Sequence, residues 1–283
     1  MSPTLMLSIY RAELSKLLSR LPARLGLIVA LVMGVAMPMV VYGGRWAAFA
    51  AGTSMALSAG APTMDWSPPE LHSGLLWALR TRNFFVMGTF LILVGSVTFA
   101  AEYQARTLRE DMLRAVPRVA LLFAKWAALV SWAFASLLLT WIPCLLGSLV
   151  LMSGGDKLLA ISAGFAASGL ADVALVSFVF AVSVLTRSVP GTIAGVFLFY
   201  VLDYALGLAL GVASALHAYP RGYEWVGTIV DQVQPWLFSS AMNAWKGWDP
   251  TVPWAWQGLV MLCLVIVGSF TASVAAFQRM DVP

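Results

Sequence analysis

Long apolar runs alternate with more polar connections of unequal length along the 283-residue chain. A helix needs about 20 mainly apolar residues to cross the hydrocarbon core of a bilayer. The pattern therefore predicts an all-α membrane protein, with six transmembrane helices in one domain over residues 1–283. The predicted spans are residues 25–42, 83–101, 119–151, 158–185, 189–212 and 255–277.

Residues 1–24 predict an amphipathic helix ahead of the first span. Two sets of positions recur at spacings of three and four, which places each set on one helix face. A helix with a basic face is suited to the membrane surface, and Pro22 ends or kinks it. The apolar set is Tyr10, Leu14, Leu17, Leu18 and Leu21, and the charged set is Glu13, Lys16, Arg20 and Arg24.

Two other segments contain helix-like sequence outside the spans. Residues 46–61 are apolar but short and stop at Pro62, so we expect an interfacial or re-entrant helix there rather than a seventh span. Loop 213–254 is rich in tryptophan, which favours the headgroup region, and Pro235 divides its helix-like sequence in two. We expect short helices on the outer face before span six.

The composition excludes an ordinary soluble domain. Hydrophobic residues are 60% of the chain and charged residues only 11%, against roughly 25% charged in soluble domains. Cytoplasmic connections of membrane proteins collect lysine and arginine, which explains the net charge of +4 without nucleic acid. Of the 17 basic residues, 11 lie on the side that holds both termini. This places both termini in the cytoplasm.

Residues 102–118, called here the charged segment, lie between the second and third spans. They are dense in charge and compatible with a short helix, which suits docking to a cytoplasmic partner through charge pairing and apolar burial. The residues expected to bind that partner are Glu102, Arg106, Thr107, Leu108, Arg109, Glu110, Asp111, Met112, Leu113, Arg114, Pro117 and Arg118.

Motifs for catalysis are missing from the sequence. It has no G-x-x-x-x-G-K-[ST], H-E-x-x-H, C-x-x-C or G-x-S-x-G pattern. Cys144 and Cys263 both lie in apolar runs, where single thiols usually pack as small hydrophobes. We therefore expect no enzyme activity, no metal site and no bound cofactor in this chain.

Two acidic residues lie near the middle of predicted spans, Asp172 in the fourth and Asp203 in the fifth. A charged side chain at the bilayer centre costs at least about 2.5 kcal/mol, so each carboxyl must avoid lipid. No lysine or arginine is expected at the same depth, and Tyr200 is the helical neighbour of Asp203. These three residues form a candidate intramembrane polar site, either for substrate or protons or as a structural contact.

Together these segments resemble the membrane subunit, or permease, of a type-2 ABC exporter. That family has an amphipathic elbow helix, six spans and a coupling helix between spans two and three. Glu13, Leu14, Lys16 and Leu17 resemble the elbow, and residues 102–125 resemble the coupling region. Arg106 stands where the family commonly has glycine. The ending Phe277-Gln278-Arg279 also resembles a common family ending.

The resemblance implies partners that this chain does not contain. A permease of this family pairs with a second, identical or homologous permease and with two copies of a cytoplasmic ATP-binding subunit. ATP and Mg²⁺ bind to that subunit, and its motion reaches the spans through the coupling helix. The resemblance also implies the bacterial cytoplasmic membrane as location, with lipid around the spans.

Two other functions are compatible with the residues. The chain could be a membrane anchor or assembly factor that recruits a cytoplasmic partner without moving substrate. It could also be a proton-coupled secondary transporter that uses Asp172 and Asp203. Stimulated ATPase activity with a co-purifying partner favours the exporter, and dependence on a proton gradient without ATP favours the secondary transporter.

Overall fold

Helices account for nearly all of the structure, a computed structural model that describes residues 3–59, 67–108, 117–155, 157–217, 224–243 and 255–280. Within these ranges there is no β-strand, which confirms the all-α class. The α-helices are α1 Pro3–Ser19, α2 Leu21–Ala59, α3 Leu71–Thr81, α4 Met87–Gln104, α5 Arg118–Leu151, α6 Leu158–Thr186, α7 Val189–His217, α8 Glu224–Val233, α9 Phe238–Met242 and α10 Ala255–Gln278.

Five of the helices are long and apolar enough to cross a membrane. They contain the segments Leu21–Met55, Arg118–Leu151, Leu158–Thr186, Val189–Ala213 and Trp256–Gln278. Each overlaps a predicted span, and the first extends beyond the predicted 25–42 at both ends. The predicted second span corresponds to α4, which has 18 residues and is not in this set. It begins at Met87 because a π-helical turn, Arg82–Val86, joins it to α3.

The expectation of a separate helix at residues 46–61 is wrong. Helix α2 runs without interruption from Leu21 to Ala59 and includes those residues through position 59. Gly43 and Gly44 lie between the predicted first span and the predicted separate helix. Each lowers helix stability by only about 1 kcal/mol, which is too little to end the helix. No proline follows them before residue 59, so neighbouring backbone hydrogen bonds are kept.

Helix α6 lies at the centre of the bundle. Most of it is buried, whereas α7 and the membrane segment of α10 are largely exposed. It packs chiefly against α10 and α4, while α2 packs along α5. A Cβ atom added to Gly34 would lie 2.7 Å from the carbonyl oxygens of Leu139 and Thr140. This position therefore needs glycine for the close approach of α2 to α5.

Helix α1 confirms that the N-terminal segment is helical and corrects the position of one residue of its charged set, Glu13. Glu13 and Leu17 are both buried, and α1 packs mainly on α5. Glu13 therefore faces the protein interior and not the membrane surface. The reason is a buried cation on α5, described below.

Candidate functional site

The first polar group in the interior surrounds Arg82, at the start of the π-helical turn. Arg82 is fully buried, and its Nη2 forms an ion pair with Oδ2 of Asp172 in α6. A π-helical turn inserts an extra residue into a helix and is often found at functional sites. Here it begins at the residue whose guanidinium reaches the middle of α6.

Neutral side chains complete this Arg82 cluster. Nη1 of Arg82 donates to Oδ1 of Asn83 at 3.1 Å and to Oγ of Ser168 at 3.2 Å. Nη2 also donates to Oγ of Ser136 at 3.4 Å, and Ser168 donates to Oδ1 of Asn83 at 2.9 Å. The cluster therefore joins α5, α6 and the π-helical turn through buried and partly buried groups.

The expectation that no basic residue lies at the depth of Asp172 is wrong. The apolar run of the second span begins at residue 83, so its pattern placed Arg82 in an outer connection. In the structure, α3 and the π-helical turn extend the helical path back to Leu71. Arg82 therefore lies inside the bundle, where the desolvation of each charge is offset by the other.

A cavity of about 340 Å³ adjoins the Arg82 cluster. Asp172 and Tyr200 both line it, so the structure brings together two of the three residues of the candidate intramembrane site. The cavity walls come from α4, α6, α7 and α9. The lining residues are Arg82, Asn83, Met87, Gly88, Thr89, Leu91, Ile92, Ala171, Asp172, Leu175, Phe197, Tyr200, Ser239, Met242 and Asn243.

Asp203 does not line this cavity. Its Oδ1 accepts a hydrogen bond from the backbone N–H of Phe238 at 3.0 Å, and its Oδ2 accepts one from Ser239 at 2.8 Å. N–H groups in the first turn of a helix have no partner within the helix, and an anion is favourable there. The carboxylate thus fixes α9 to α7, and its hydrogen bonds come from that backbone rather than from Tyr200.

The second polar group surrounds Lys125, near the start of α5. Lys125 is 1% exposed, and its Nζ binds Oε2 of Glu13 at 2.6 Å and Oε2 of Glu102. Nη2 of Arg20 binds Oε1 of Glu102 at 2.7 Å, and the more exposed Lys16 binds Glu13 at 3.0 Å. This Lys125 cluster connects α1, the residue before α2, the end of α4 and the start of α5.

The structure describes the two ends of the charged segment. Glu102 belongs to the Lys125 cluster, and Leu108 is 1% exposed in the protein's own core. Leu108 is thus buried without a partner, and its part in docking a partner stays a prediction. Oγ1 of Thr107 donates to the carbonyl of Glu102 at 3.3 Å. Arg109, Glu110, Asp111, Met112, Leu113 and Arg114 lie outside the described residues.

Arg106 directs the chain away from α4. Its φ of 59° lies in the left-handed region, which favours glycine because other residues have a Cβ that collides with the backbone. The N–H of Arg106 donates to the carbonyl of Tyr103 at 3.1 Å and closes the last turn. Glycine, which the family resemblance implies at this position, would adopt the left-handed turn without strain.

Two further contacts connect the ends of the charged segment to α10 and to the connection between α6 and α7. Pro117 precedes α5, and Nη1 of Arg118 donates to the carbonyl of Met280 at 3.1 Å, just after α10. The guanidinium of Arg187, between α6 and α7, lies 5.6 Å from the ring centre of Tyr103. A cation above an aromatic ring is attractive at this distance.

A family model described as ABC-2 family transporter protein matches residues 30–204. The chain belongs to the ABC-2 transporter family. It is a multi-pass membrane protein of that transport family, and the type-2 ABC permease resemblance is confirmed. The match includes Arg82, Lys125, Asp172 and Asp203, but not α1 or α10. A comparison with curated proteins gives no match.

The polar interior of this ABC-2 protein contains residues that sequence reasoning missed. Arg82 was assigned to a loop, and neither Lys125 nor Glu13 was considered an interior residue. A signal for Lys125 existed, because a lone lysine inside an apolar run must find a partner. A signal for Arg82 existed too, because the apolar residues of Leu71–Thr81 recur at helical spacing. That spacing could have extended the predicted second span back through Arg82.

Proposed function

We propose that this chain is the permease subunit of an ATP-driven exporter in the cytoplasmic membrane of a bacterium. Two separate ATP-binding subunits, which hold ATP and Mg²⁺, would dock on the charged segment. Both termini would lie in the cytoplasm, with α1 as the elbow helix and α4 as the second of six spans. The substrate is not identified by these residues.

The attachment of the charged segment at both ends is the observation that carries this proposal. The Lys125 cluster holds its start to α1 and α5, and Arg118 holds its end to the residues after α10. A segment fixed in this way cannot be displaced without moving those helices. That property is needed to convert the motion of an ATPase into movement of the spans.

The burial of the two ion pairs at Lys125 makes the connection rigid. Charges shielded from water attract strongly, and breaking such a pair leaves an uncompensated buried charge. A push on the charged segment is therefore transmitted to α1, α4 and α5 as one unit. Exposed ion pairs, which contribute about 0–1 kcal/mol, would yield to the same push.

A second permease copy is expected to cover part of the exposed surface of α7. Large apolar side chains line this helix and are exposed in the single chain, among them Leu198, Leu202 and Leu206. Lipid covers such a surface equally well, so the second copy rests on the family resemblance. A pair of identical chains and a pair of homologous chains are both compatible with the exposed face.

Co-purification with a co-expressed ATP-binding subunit tests the proposal. The double variant Arg109→Glu/Arg114→Glu reverses charge in the charged segment. We expect it to insert normally but to lose most of the ATPase subunit and the ATP-driven activity. The matched control is Arg45→Glu, an exposed arginine on the opposite side of the predicted topology. Undiminished ATPase recovery in the double variant contradicts the docking site.

The proton-coupled alternative loses its main support. Its basis was two interior carboxyls without partners, whereas Asp172 pairs with Arg82 and Asp203 holds the first turn of α9. Nothing in the described residues favours a static anchor over a transporter. ATP-dependent transport that persists after the proton gradient is collapsed is the expected result.

A further inference from the structure

The cavity beside the Arg82 cluster contains hydrogen-bond donors that the protein leaves unused. Within the described residues, Nε of Arg82 and Nδ2 of Asn83 are buried and have no hydrogen-bond partner. Both residues line the cavity. A buried donor without a partner is costly, so two of them beside one open space favour a ligand that supplies an acceptor.

The orientation of the Asn83 amide follows from its neighbour. A guanidinium can only donate, so the atom of Asn83 that Nη1 of Arg82 contacts at 3.1 Å must be the amide oxygen. Ser168 also donates to that oxygen. The NH₂ group is therefore the free end of the amide, and its chemistry selects an acceptor.

Charge decides against an ionic ligand. Arg82 and Asp172 are the charged residues among those that line the cavity, and they neutralise each other. An added anion or cation would be buried without a counter-ion, which is strongly unfavourable. A neutral acceptor, such as an ester, amide or hydroxyl oxygen, satisfies the free donors without adding charge.

The rest of the cavity is suited to an apolar chain. Its walls include Met87, Leu91, Ile92 and Leu175, and its volume of about 340 Å³ lies within the roughly 300–1,000 Å³ of ligand pockets. Phe197 lines the cavity and is 68% exposed on α7. A molecule dissolved in the bilayer would enter the cavity beside this ring.

We propose that this cavity binds a neutral amphipathic molecule, with a hydrogen-bond acceptor against Arg82 and Asn83 and an apolar chain along α4 and α6. The ligand is either a bilayer lipid or a molecule that the protein transports. Binding at this site requires no ATPase, so it stands or falls separately from the proposed function.

Photolabelling of the full chain in phosphatidylcholine nanodiscs tests the proposal. The probe is a monoacylglycerol with a diazirine in its acyl chain, and the competitors are 1-monoolein, oleate and oleylamine. We expect saturable labelling on α4 and α6, with 1-monoolein competing about tenfold better than either ion, the effect of one unpaired buried group. Labelling that does not saturate, or equal competition by all three, overturns the proposal.

Gly88 offers a variant that fills the cavity. It lines the cavity, and a Cβ atom added to it meets nothing within 4 Å. Gly88→Leu should abolish saturable labelling while the protein keeps its fold. Gly268→Leu, at an equally open but more exposed position on α10, is the control and should label like wild type. Equal labelling of both variants contradicts the site.

Asn83→Asp tests the chemistry of the acceptor. It keeps an oxygen for Arg82 and Ser168 but replaces the free NH₂ with an acceptor and adds negative charge. The preference should reverse, so that oleylamine competes better than 1-monoolein. If the substitution only destabilised the cavity, affinity for both oleylamine and 1-monoolein would fall. An unchanged preference for 1-monoolein contradicts the assigned role of Asn83.

Lipids that co-purify with the wild-type chain and with Gly88→Leu distinguish the two sources. A neutral lipid enriched in wild type and depleted in Gly88→Leu identifies a bilayer component. Specific labelling without any enriched lipid identifies a molecule that visits the site, as a transported substrate would. Either result supports binding.

Discussion

Arg82 and Asp172 form a buried ion pair that joins the π-helical turn before α4 to the middle of α6. Removing one partner leaves the other charge uncompensated, at a cost of about 3–5 kcal/mol. We expect Asp172→Asn or Arg82→Gln alone to lower the free energy of unfolding in detergent by that amount.

The double variant Arg82→Met/Asp172→Leu is the counterpart of these single changes. It removes both charges together, so it should be more stable than either single variant. Glu70→Gln is the control, because Glu70 pairs with His72 but its side chain is 69% exposed. If Asp172→Asn unfolds like wild type, the ion pair does not stabilise the fold.

Lys125 and Lys16 both bind Glu13, but only Lys125 is buried. Lys125→Met should cost about 3–5 kcal/mol, because two carboxylates lose their shared cation. Lys16→Met should cost no more than about 1 kcal/mol, as expected for an exposed pair. Denaturation of the two variants in one detergent measures this difference, and equal losses would show that burial is unimportant here.

Asp203 fixes α9 through two backbone N–H groups, one for each carboxylate oxygen. Asp203→Asn replaces one accepting oxygen with a donor and should cost about 1–3 kcal/mol. Asp203→Leu removes both acceptors and should cost more. Thermal unfolding and protease cleavage near residue 238 are the measurements, with exposed Tyr204→Phe as control. Full stability of Asp203→Leu is incompatible with this role.

Arg106 has a left-handed backbone that glycine adopts without strain. Arg106→Gly should raise the free energy of unfolding by about 1 kcal/mol, whereas Arg106→Ala should not, because alanine keeps the Cβ. The comparison separates the backbone effect from loss of the charge. A gain for both variants would assign the effect to the arginine side chain instead.

The proposed orientation of the spans predicts which positions a reagent reaches from outside the cell. In a background of Cys144→Ala/Cys263→Ala, Glu110→Cys should react with a membrane-impermeant maleimide only after the cells are opened. Asp65→Cys and Asp231→Cys should react in intact cells. External labelling at position 110 would reverse the topology.

The apolar pattern alone determined the class of protein and the approximate position of most spans. Runs such as 119–151 and 158–185 have to cross a bilayer because no soluble core could bury them. The match of α5 and α6 to these runs to within one residue confirms that reasoning. The sequence also identified Asp172 as an interior residue that requires a partner.

Tertiary structure decided that the partner of Asp172 is Arg82. Whether Arg82 faces water or Asp172 depends on the π-helical turn and on α3, neither of which the apolar pattern reveals. Glu13 and Glu102 meet at Lys125 although positions 13 and 102 lie far apart in sequence. Hydrophobic burial depends on local pattern, but ion pairs between helices depend on how those helices pack. The sequence therefore determined the membrane fold, and the packing decided its charged connections.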